Sequence, residues 1–226
     1  GPCGAFDISP VRSPQALHTA LLPHVFGRDI LEIGTRNGDG IACFAQVARS
    51  AVAVEINKRY CTVLERRAKK LTDEGNRSFS VVCDDYRRAA RLDADLISWW
   101  QEPAHGFNNH LNLRDLAVLL AQGRLRANAT AVLVFSDMPV VEDRDDLAAL
   151  RRLGWLSLSL SVRVDEAAAC HRRLGWGGWS KLCARVANTT FHAGFVPIRL
   201  VPLEELNAAI AKGWRWPRGD APLRSP

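Results

Sequence analysis

Short apolar segments alternate with amphipathic segments along most of this chain, and no other feature limits its fold as strongly. The apolar segments DILEIG, AVAVEI, FSVVCD, ADLISWW and TAVLVFSD are typical of buried strands. Helical patterns separate several of them, such as RYCTVLERRAKKLTDEG between the second and the third. Strands joined through helices form a parallel sheet that is covered on both faces. The sequence therefore predicts an α/β fold with a doubly wound, mostly parallel sheet.

The later part of the chain has a different pattern. In WLSLSLSVRV, apolar and polar residues alternate strictly, which predicts an antiparallel or edge strand with one solvated face. FVPIRLVPL predicts one more strand, and LEELNAAIA a helix. We expect a single domain over 1–226 with antiparallel strands near its C-terminus, a helical lead-in over 10–27 and a Trp- and Arg-containing tail over 212–226.

Composition narrows the class of protein. The net charge of +6 permits an anionic partner but does not require one. No apolar stretch approaches the roughly 20 residues of a membrane span, so no membrane association is expected. The six cysteines form no C-x-x-C pair and mostly lie in apolar segments. They predict buried, reduced thiols in an intracellular protein, cytoplasmic or nuclear.

The segment LEIGTRNGDG runs from the first predicted strand into a glycine-containing loop. It lacks the G-x-x-x-x-G-K-[ST] pattern of a triphosphate-binding loop. Gly38, Gly40 and Cys43 approach a dinucleotide fingerprint, but Cys43 stands at the third glycine position. Asp39 would stand where a pyrophosphate approaches, and a carboxylate repels a phosphate. These residues disfavour a phosphate ligand.

Two acids indicate a different ligand. Glu32 precedes the first glycine, and Glu55 ends the next strand, 21 residues after Gly34. An acid at the second position can accept hydrogen bonds from both ribose hydroxyls. Glu32 suits a ligand with a positive amino group. A nucleoside that carries an ammonium group and no phosphate is S-adenosylmethionine.

Glu32-Ile33-Gly34-Thr35-Arg36-Asn37-Gly38, together with Glu55 and Asp84, resembles the class I, Rossmann-like, seven-stranded S-adenosylmethionine-dependent methyltransferases. The resemblance covers roughly Ile30 to Asp137. It implies that the loop wraps the methionine part, that Glu55 holds the ribose and that Asp84 or Asp85 lies by the adenine. The cofactor-binding residues expected on this basis are Glu32, Gly34, Thr35, Arg36, Asn37, Gly38, Glu55, Ile56, Asp84, Asp85 and Ser98. Asp84 could instead be the N-cap of a helix.

The chain departs from the family pattern at two places. Arg36 replaces the usual middle glycine, a variant similar to the loop of small O-methyltransferases, which often bind a divalent metal. Asp137 could match one of their metal ligands, but the fourth strand runs into SWWQEP and offers no matching aspartate. We therefore expect no metal site.

Trp99, Trp100 and Glu102 follow the fourth predicted strand, where ligands bind in such sheets. The tryptophans could form a wall for the methyl acceptor, and Glu102 or His105 could act as a base or orient the acceptor. The alternatives are core packing for one tryptophan and a surface cover for the other, and solvation for the polar residues.

These observations favour an S-adenosylmethionine-dependent methyltransferase that acts by in-line displacement on an unidentified acceptor. A chain of this length leaves no room for a separate substrate domain, which slightly favours a macromolecular acceptor, protein or RNA, over a small molecule. Two alternatives remain: a methyltransferase-like binding module without catalysis, and a nucleotide-cofactor oxidoreductase.

Overall fold

A computed structural model describes residues 3–4, 15–99, 109–136, 158–163 and 190–211 of the chain. The helices are α1 (Gln15–Val25), α2 (Asp39–Phe44), α3 (Lys58–Asp73), α4 (Asn109–Ala121) and α5 (Leu203–Ala211). The strands are β1 (Asp29–Ile33), β2 (Ser50–Val54), β3 (Ser80–Val82), β4 (Leu96–Trp99), β5 (Thr130–Ser136), β6 (Leu158–Arg163) and β7 (Thr190–Pro197).

The strands form one sheet in the order β3-β2-β1-β4-β5-β7-β6. Strands β1 to β5 pair in parallel, whereas β7 runs antiparallel to both β5 and β6. The chain reverses its strand order beside β1, and ligands bind at the carboxyl ends of the strands at such a point. The predicted fold class, a mostly parallel sheet with antiparallel strands late in the chain, is confirmed.

Apolar side chains cover the sheet on both faces. On one face, Leu17 of α1 and Phe44 of α2 pack with Ile30 and other strand residues. On the other, Leu113 and Leu116 of α4 pack with strand residues that alternate with the first set. Every side chain in β4 is buried, because a central parallel strand faces helices on both sides. This packing holds the carboxyl edge of β1, β2 and β4 in place.

The helix that follows β2 illustrates how local sequence sets the boundaries. Asn57 caps α3, and its Oδ1 accepts a hydrogen bond from the Arg59 N–H at 2.9 Å. The buried stripe of α3 includes Cys61, Leu64 and Leu71. After the helix, Gly75 adopts φ 73°, a left-handed conformation that suits glycine beyond a helix end.

An ionic cluster closes the amino end of the sheet, opposite the candidate site. We call it the amino-end cluster; it consists of Asp29, Asp93, Asp95, Arg49 and Arg126. Asp29, 6 % exposed, lies against both arginines. The hydrogen bond from Arg49 is the main cause that holds the pKa of Asp29 far below its ordinary value. The two arginines thus neutralise the Asp29 carboxylate, which the start of β1 would otherwise bury unpaired.

Two predictions from the sequence are corrected. FVPIRLVPL is not a strand throughout: β7 ends at Pro197, and Ile198–Leu200 form a 3-10 helix. Past Pro197 the Ile198 N–H still donates to the Ala129 carbonyl at 3.0 Å, but the Ala129 N–H donates to the Arg126 carbonyl instead of returning the bond, so the ladder ends there. Reduced thiols are also wrong for the described cysteines, because Cys3 bonds to Cys43 and Cys61 to Cys83. These partners are 40 and 22 residues apart, so no local spacing reveals them.

Several predicted features lie outside the described residues. They are residues 10–14 of the helical lead-in, the tail over 212–226, and Trp100, Glu102, His105 and Asp137. The single-domain arrangement stays a prediction.

Candidate functional site at the carboxyl edge of the sheet

The loop between β1 and α2 has a tightly defined shape. Gly34 donates its N–H to the Val54 carbonyl at 2.8 Å, and Gly38 donates to the Thr35 carbonyl at 2.9 Å. Gly38 has φ 77°, and a Cβ there would lie 2.7 Å from Leu64 Cδ2. The loop therefore requires glycine at this position to pass beneath α3.

Glu32 lies directly beneath the start of α2. Its side chain is fully buried, and Oε2 accepts a hydrogen bond from the Ile41 N–H at 3.1 Å. A Cβ on Gly40 would lie 2.3 Å from Oε1, so glycine is required for this approach. The carboxylate thus stabilises the first turn of α2. Its predicted role towards a ligand's amino group stays a prediction.

Glu55 connects the two loops that follow β1 and β2. It is 4 % exposed, and its Oε2 accepts from the Arg36 N–H at 3.1 Å. Its Oε1 accepts from the Asn57 N–H at 2.9 Å. Each carboxylate oxygen can accept a further hydrogen bond. Glu55 can therefore hold both loops and still accept from ligand hydroxyls.

Arg36 occupies the place of the usual middle glycine with φ 51°, an uncommon conformation for a residue with a side chain. Its Nη2 donates to the Tyr60 hydroxyl at 3.0 Å, and its Cζ lies 5.3 Å from the centre of the Tyr60 ring. The contact with α3 and the bond from its N–H to Glu55 both favour this conformation. Arg36 therefore acts here as a bridge from the loop to α3.

A second arginine fixes the loop from α3. Arg67 Nη1 donates to the Asn37 carbonyl at 2.7 Å and pairs with Asp39 at 2.5 Å. Asp39 is only 4 % exposed. From the sequence alone, this carboxylate would repel an approaching pyrophosphate; in the structure it is paired with Arg67. Asp39 is therefore no argument against a phosphate ligand.

The two acids after β3 lie in different surroundings. Asp84 is exposed and accepts from the Asp85 N–H at 2.7 Å. Asp85 accepts from the Arg87 N–H at 3.0 Å and pairs with its guanidinium, which holds the pKa of Asp85 below its usual value. A turn follows rather than a helix, so Asp84 is not a helix N-cap. Since Arg87 engages Asp85, Asp84 is the better placed of the two to meet a ligand.

Two exposed apolar side chains lie near these acids along the chain. Ile56 follows Glu55 and is 69 % exposed, and Val82 at the end of β3 is 40 % exposed. Strands β2 and β3 are neighbours that run in parallel, so both residues belong to one edge of the sheet. An exposed apolar surface beside an acid suits a flat heterocycle with an amino group.

Two buried hydroxyl groups at this edge have no hydrogen-bond partner within the described part of the chain. They are Oγ1 of Thr35, 7 % exposed, and Oγ of Ser98, 4 % exposed. Ser98 stands beside Glu32 in the β1–β4 register, so the two side chains share one face of the sheet. A buried hydroxyl without a partner costs roughly 1–3 kcal/mol. A ligand that bonds to these groups would remove that cost.

Trp99 lies on the opposite face of the sheet. It is 5 % exposed and packs in the apolar cluster that contains Leu113 and Leu116 of α4. This is the core-packing alternative considered for one of the two tryptophans. Its role in an acceptor site stays a prediction.

The residues on α3 that hold the loop are not among the site residues predicted from the sequence. Arg67 follows Leu64 by three residues, on the stripe of the helix that faces the protein, and its side chain is 9 % exposed. An arginine within a buried stripe indicates an internal acid partner, and this signal was available. No comparable pattern marks Tyr60.

Membrane-spanning helices and metal-binding clusters are both absent from the described residues. No described helix combines the length and apolarity that crossing a bilayer requires. Within the same residues, no three His, Cys, Asp or Glu side chains cluster as a metal site would need.

Several solved structures with a similar fold are methyltransferases. A methyltransferase from Thiobacillus denitrificans, in complex with S-adenosylhomocysteine, matches with a TM-score of 0.53 at 14 % identity, over 85 % of this chain and 93 % of that one. One from Geobacter sulfurreducens, also in complex with S-adenosylhomocysteine, gives 0.51 at 13 %, over 86 % and 94 %. A candidate RNA methyltransferase from Pyrococcus horikoshii gives 0.51 at 13 %, over 83 % and 86 %.

These identities support a shared fold and leave the acceptor undetermined. No protein-family model matches the chain, and no curated protein matches it in sequence.

Proposed function

We propose that this protein is an S-adenosylmethionine-dependent methyltransferase. The observation that carries the proposal is the pair of buried hydroxyls on Thr35 and Ser98, which lie at the ligand-binding edge of the fold and have no partner among the described residues. The fold comparison supports the same conclusion independently, because two of the similar structures contain S-adenosylhomocysteine.

The described residues fit the parts of this cofactor. The remaining acceptor capacity of Glu55 suits the two ribose hydroxyls. Ile56 and Val82 offer apolar surface for an adenine ring, and Asp84 offers an acceptor for its amino group. Thr35 and Ser98 offer hydroxyls for the polar groups of the methionine part.

When bound, the cofactor supplies an electrophilic methyl group on a positively charged sulfur. The protein's task is then to position the reactants, which can supply much of the acceleration without a catalytic triad. Glu55 and Arg67 hold the loop that would form one wall of the site. Glu32 holds the start of α2 that follows this loop.

Two alternative functions make different predictions. An oxidoreductase would bind a dinucleotide. Both oxygens of Glu55 accept from backbone N–H groups, and this carboxylate would repel the 2′-phosphate of NADP. NAD is therefore the dinucleotide to test against S-adenosylhomocysteine. A binding module would bind the cofactor without turnover. The sequence-based preference for a macromolecular acceptor, protein or RNA, remains part of the proposal.

The test uses two serine variants in a thermal-shift titration. Ser98→Ala should leave the melting temperature unchanged or slightly higher, because it removes an unpartnered hydroxyl, and should weaken S-adenosylhomocysteine binding several-fold. Ser78→Ala is the matched control: it removes a 2.7 Å hydrogen bond to the Ala68 carbonyl, so it should lower stability by about 1 kcal/mol without changing affinity.

The outcomes separate the alternatives. Stabilisation of the wild-type protein by NAD, and none by S-adenosylhomocysteine, would favour the oxidoreductase. Equal affinity of Ser98→Ala and the wild type for S-adenosylhomocysteine would show that Ser98 does not bind the cofactor. Cofactor binding without methyl transfer to protein, RNA or small-molecule acceptors would favour the binding module.

A further inference from the structure

The disulfide between Cys61 and Cys83 joins two segments of the proposed cofactor site. Cys61 lies in the first turn of α3, and Cys83 is the first residue after β3. Their Cα atoms are 5.8 Å apart. One segment begins with Glu55, and the other continues directly into Asp84. The bond therefore connects the backbone of the two acids proposed to hold the ribose and the adenine.

Cys61 is in close contact with the Glu55 turn. Its sulfur lies 3.4 Å from the Glu55 carbonyl oxygen, and its N–H donates to the Asn57 carbonyl at 3.0 Å. Glu55 in turn donates its N–H to the Val82 carbonyl at 3.0 Å. A change at the sulfur of Cys61 therefore affects the backbone of Glu55, the residue whose carboxylate accepts hydrogen bonds from both loops.

The two disulfides differ in accessibility. Cys61 is 3 % exposed, but its partner Cys83 is exposed to solvent. In the other disulfide, Cys43 of α2 is fully buried and Cys3 is half-buried. Exchange begins with the attack of a thiolate on an accessible sulfur, so the Cys61–Cys83 bond is the more open to reduction.

We propose that Cys61 and Cys83 are a redox modification site that sets the affinity for the cofactor, an inference that rests on the proposed function. In the oxidised protein the bond holds the Glu55 and Asp84 segments in the arrangement described above. Reduction releases Asp84 and its neighbours beyond β3, so part of the binding free energy goes into ordering them again.

The exchange is a two-electron reaction with a dithiol reductant. One thiolate of the dithiol attacks Cys83 Sγ, which forms a mixed disulfide and releases the Cys61 thiolate. The second thiolate attacks the reductant's sulfur in that bond, which releases the Cys83 thiolate and leaves the dithiol as a disulfide. Cys61 is the leaving group because the attack is on Cys83, the exposed partner of the bond.

The experiment measures S-adenosylhomocysteine affinity of the full chain across a series of dithiol redox buffers. Mass spectrometry of alkylated peptides reports the oxidised fraction of each cysteine pair in the same samples. We expect the dissociation constant to rise about tenfold on reduction, within the range typical of coupled sites, and to follow the Cys61–Cys83 fraction.

Two double variants separate the disulfides. Cys61→Ser with Cys83→Ser should bind about as weakly as the reduced protein and lose its redox response. Cys3→Ser with Cys43→Ser is the matched control and should retain the response. If the first variant does not fold, Cys83→Ala alone replaces it, because it removes the exposed sulfur and leaves Cys61 in place.

The results distinguish this inference from the proposed function. No binding by the oxidised wild type refutes the proposed function. Binding that is the same in both redox states, or that follows the Cys3–Cys43 fraction, leaves the proposed function intact and overturns the redox site.

Discussion

Replacing Gly40 by alanine tests the placement of Glu32 beneath α2. The new Cβ would lie 2.3 Å from Glu32 Oε1 and 3.2 Å from Glu32 Cδ. A surface carboxylate would simply move, but this one is fully buried and accepts from the Ile41 N–H. It has to give up that bond or displace the first turn of α2.

The expected loss follows from three contributions. Alanine gains about 1 kcal/mol over glycine within a helix. Losing a hydrogen bond to a charged group costs about 1.5–3 kcal/mol, and overpacking costs about 1–3 kcal/mol. The net destabilisation of Gly40→Ala is therefore about 3 kcal/mol. In a domain of this size it lowers the melting temperature by roughly 6–12 °C.

Urea unfolding of four proteins measures this effect as a double-mutant cycle. They are the wild type, Gly40→Ala, Glu32→Ala and the double variant. With the carboxylate removed, Gly40→Ala should cost little or stabilise, so the two changes should be strongly non-additive. A neutral Gly40→Ala in the wild-type background, or additive effects in the cycle, would refute the reasoning.

Three further outcomes follow. The amino-end cluster holds the pKa of Asp29 in the folded protein below its value in the unfolded chain. The ionised Asp29 carboxylate therefore contributes its full stabilisation above the unfolded pKa, and this contribution decreases as the pH falls below about 5. The melting temperature of Asp29→Asn should therefore fall less steeply with acid than that of the wild type; parallel curves would contradict this. Trp99→Ala should cost about 3–5 kcal/mol of stability if the side chain is core, as its burial indicates. A stable variant with slow turnover and normal cofactor affinity would instead show that Trp99 acts in the acceptor site. Finally, EDTA should leave methyl transfer intact, since Asp137 alone does not make a divalent site; loss that magnesium restores would show a metal.

Strand positions were predictable because buried parallel strands are continuous apolar runs. DILEIG and AVAVEI became β1 and β2 with small shifts of their ends. The alternation in WLSLSLSVRV identified a strand at the antiparallel edge. The end of β7 was not predictable, because apolar residues continue past Pro197 while only the Ile198 N–H still bonds across to Ala129.

The site was predictable only as a set of residues near one another. Strand and loop spacing brought Glu32, Gly34 and Glu55 to one edge of the sheet. Spacing could not reveal that Glu32 is committed to α2 or that Asp39 faces Arg67. Both depend on how helices pack over the loop, and that packing consists of contacts between distant parts of the chain. The disulfides escaped prediction for the same reason.

The central claim is that the carboxyl edge of the sheet binds S-adenosylmethionine. The most direct measurement is isothermal titration calorimetry of the oxidised full chain with S-adenosylhomocysteine, with Glu55→Ala as the variant and Glu65→Ala, an exposed acid on α3, as the control. The account predicts saturable binding by the wild type and the control, and a loss of about 2–3 kcal/mol in Glu55→Ala. No binding by the wild type, or equal affinity in Glu55→Ala, would contradict it.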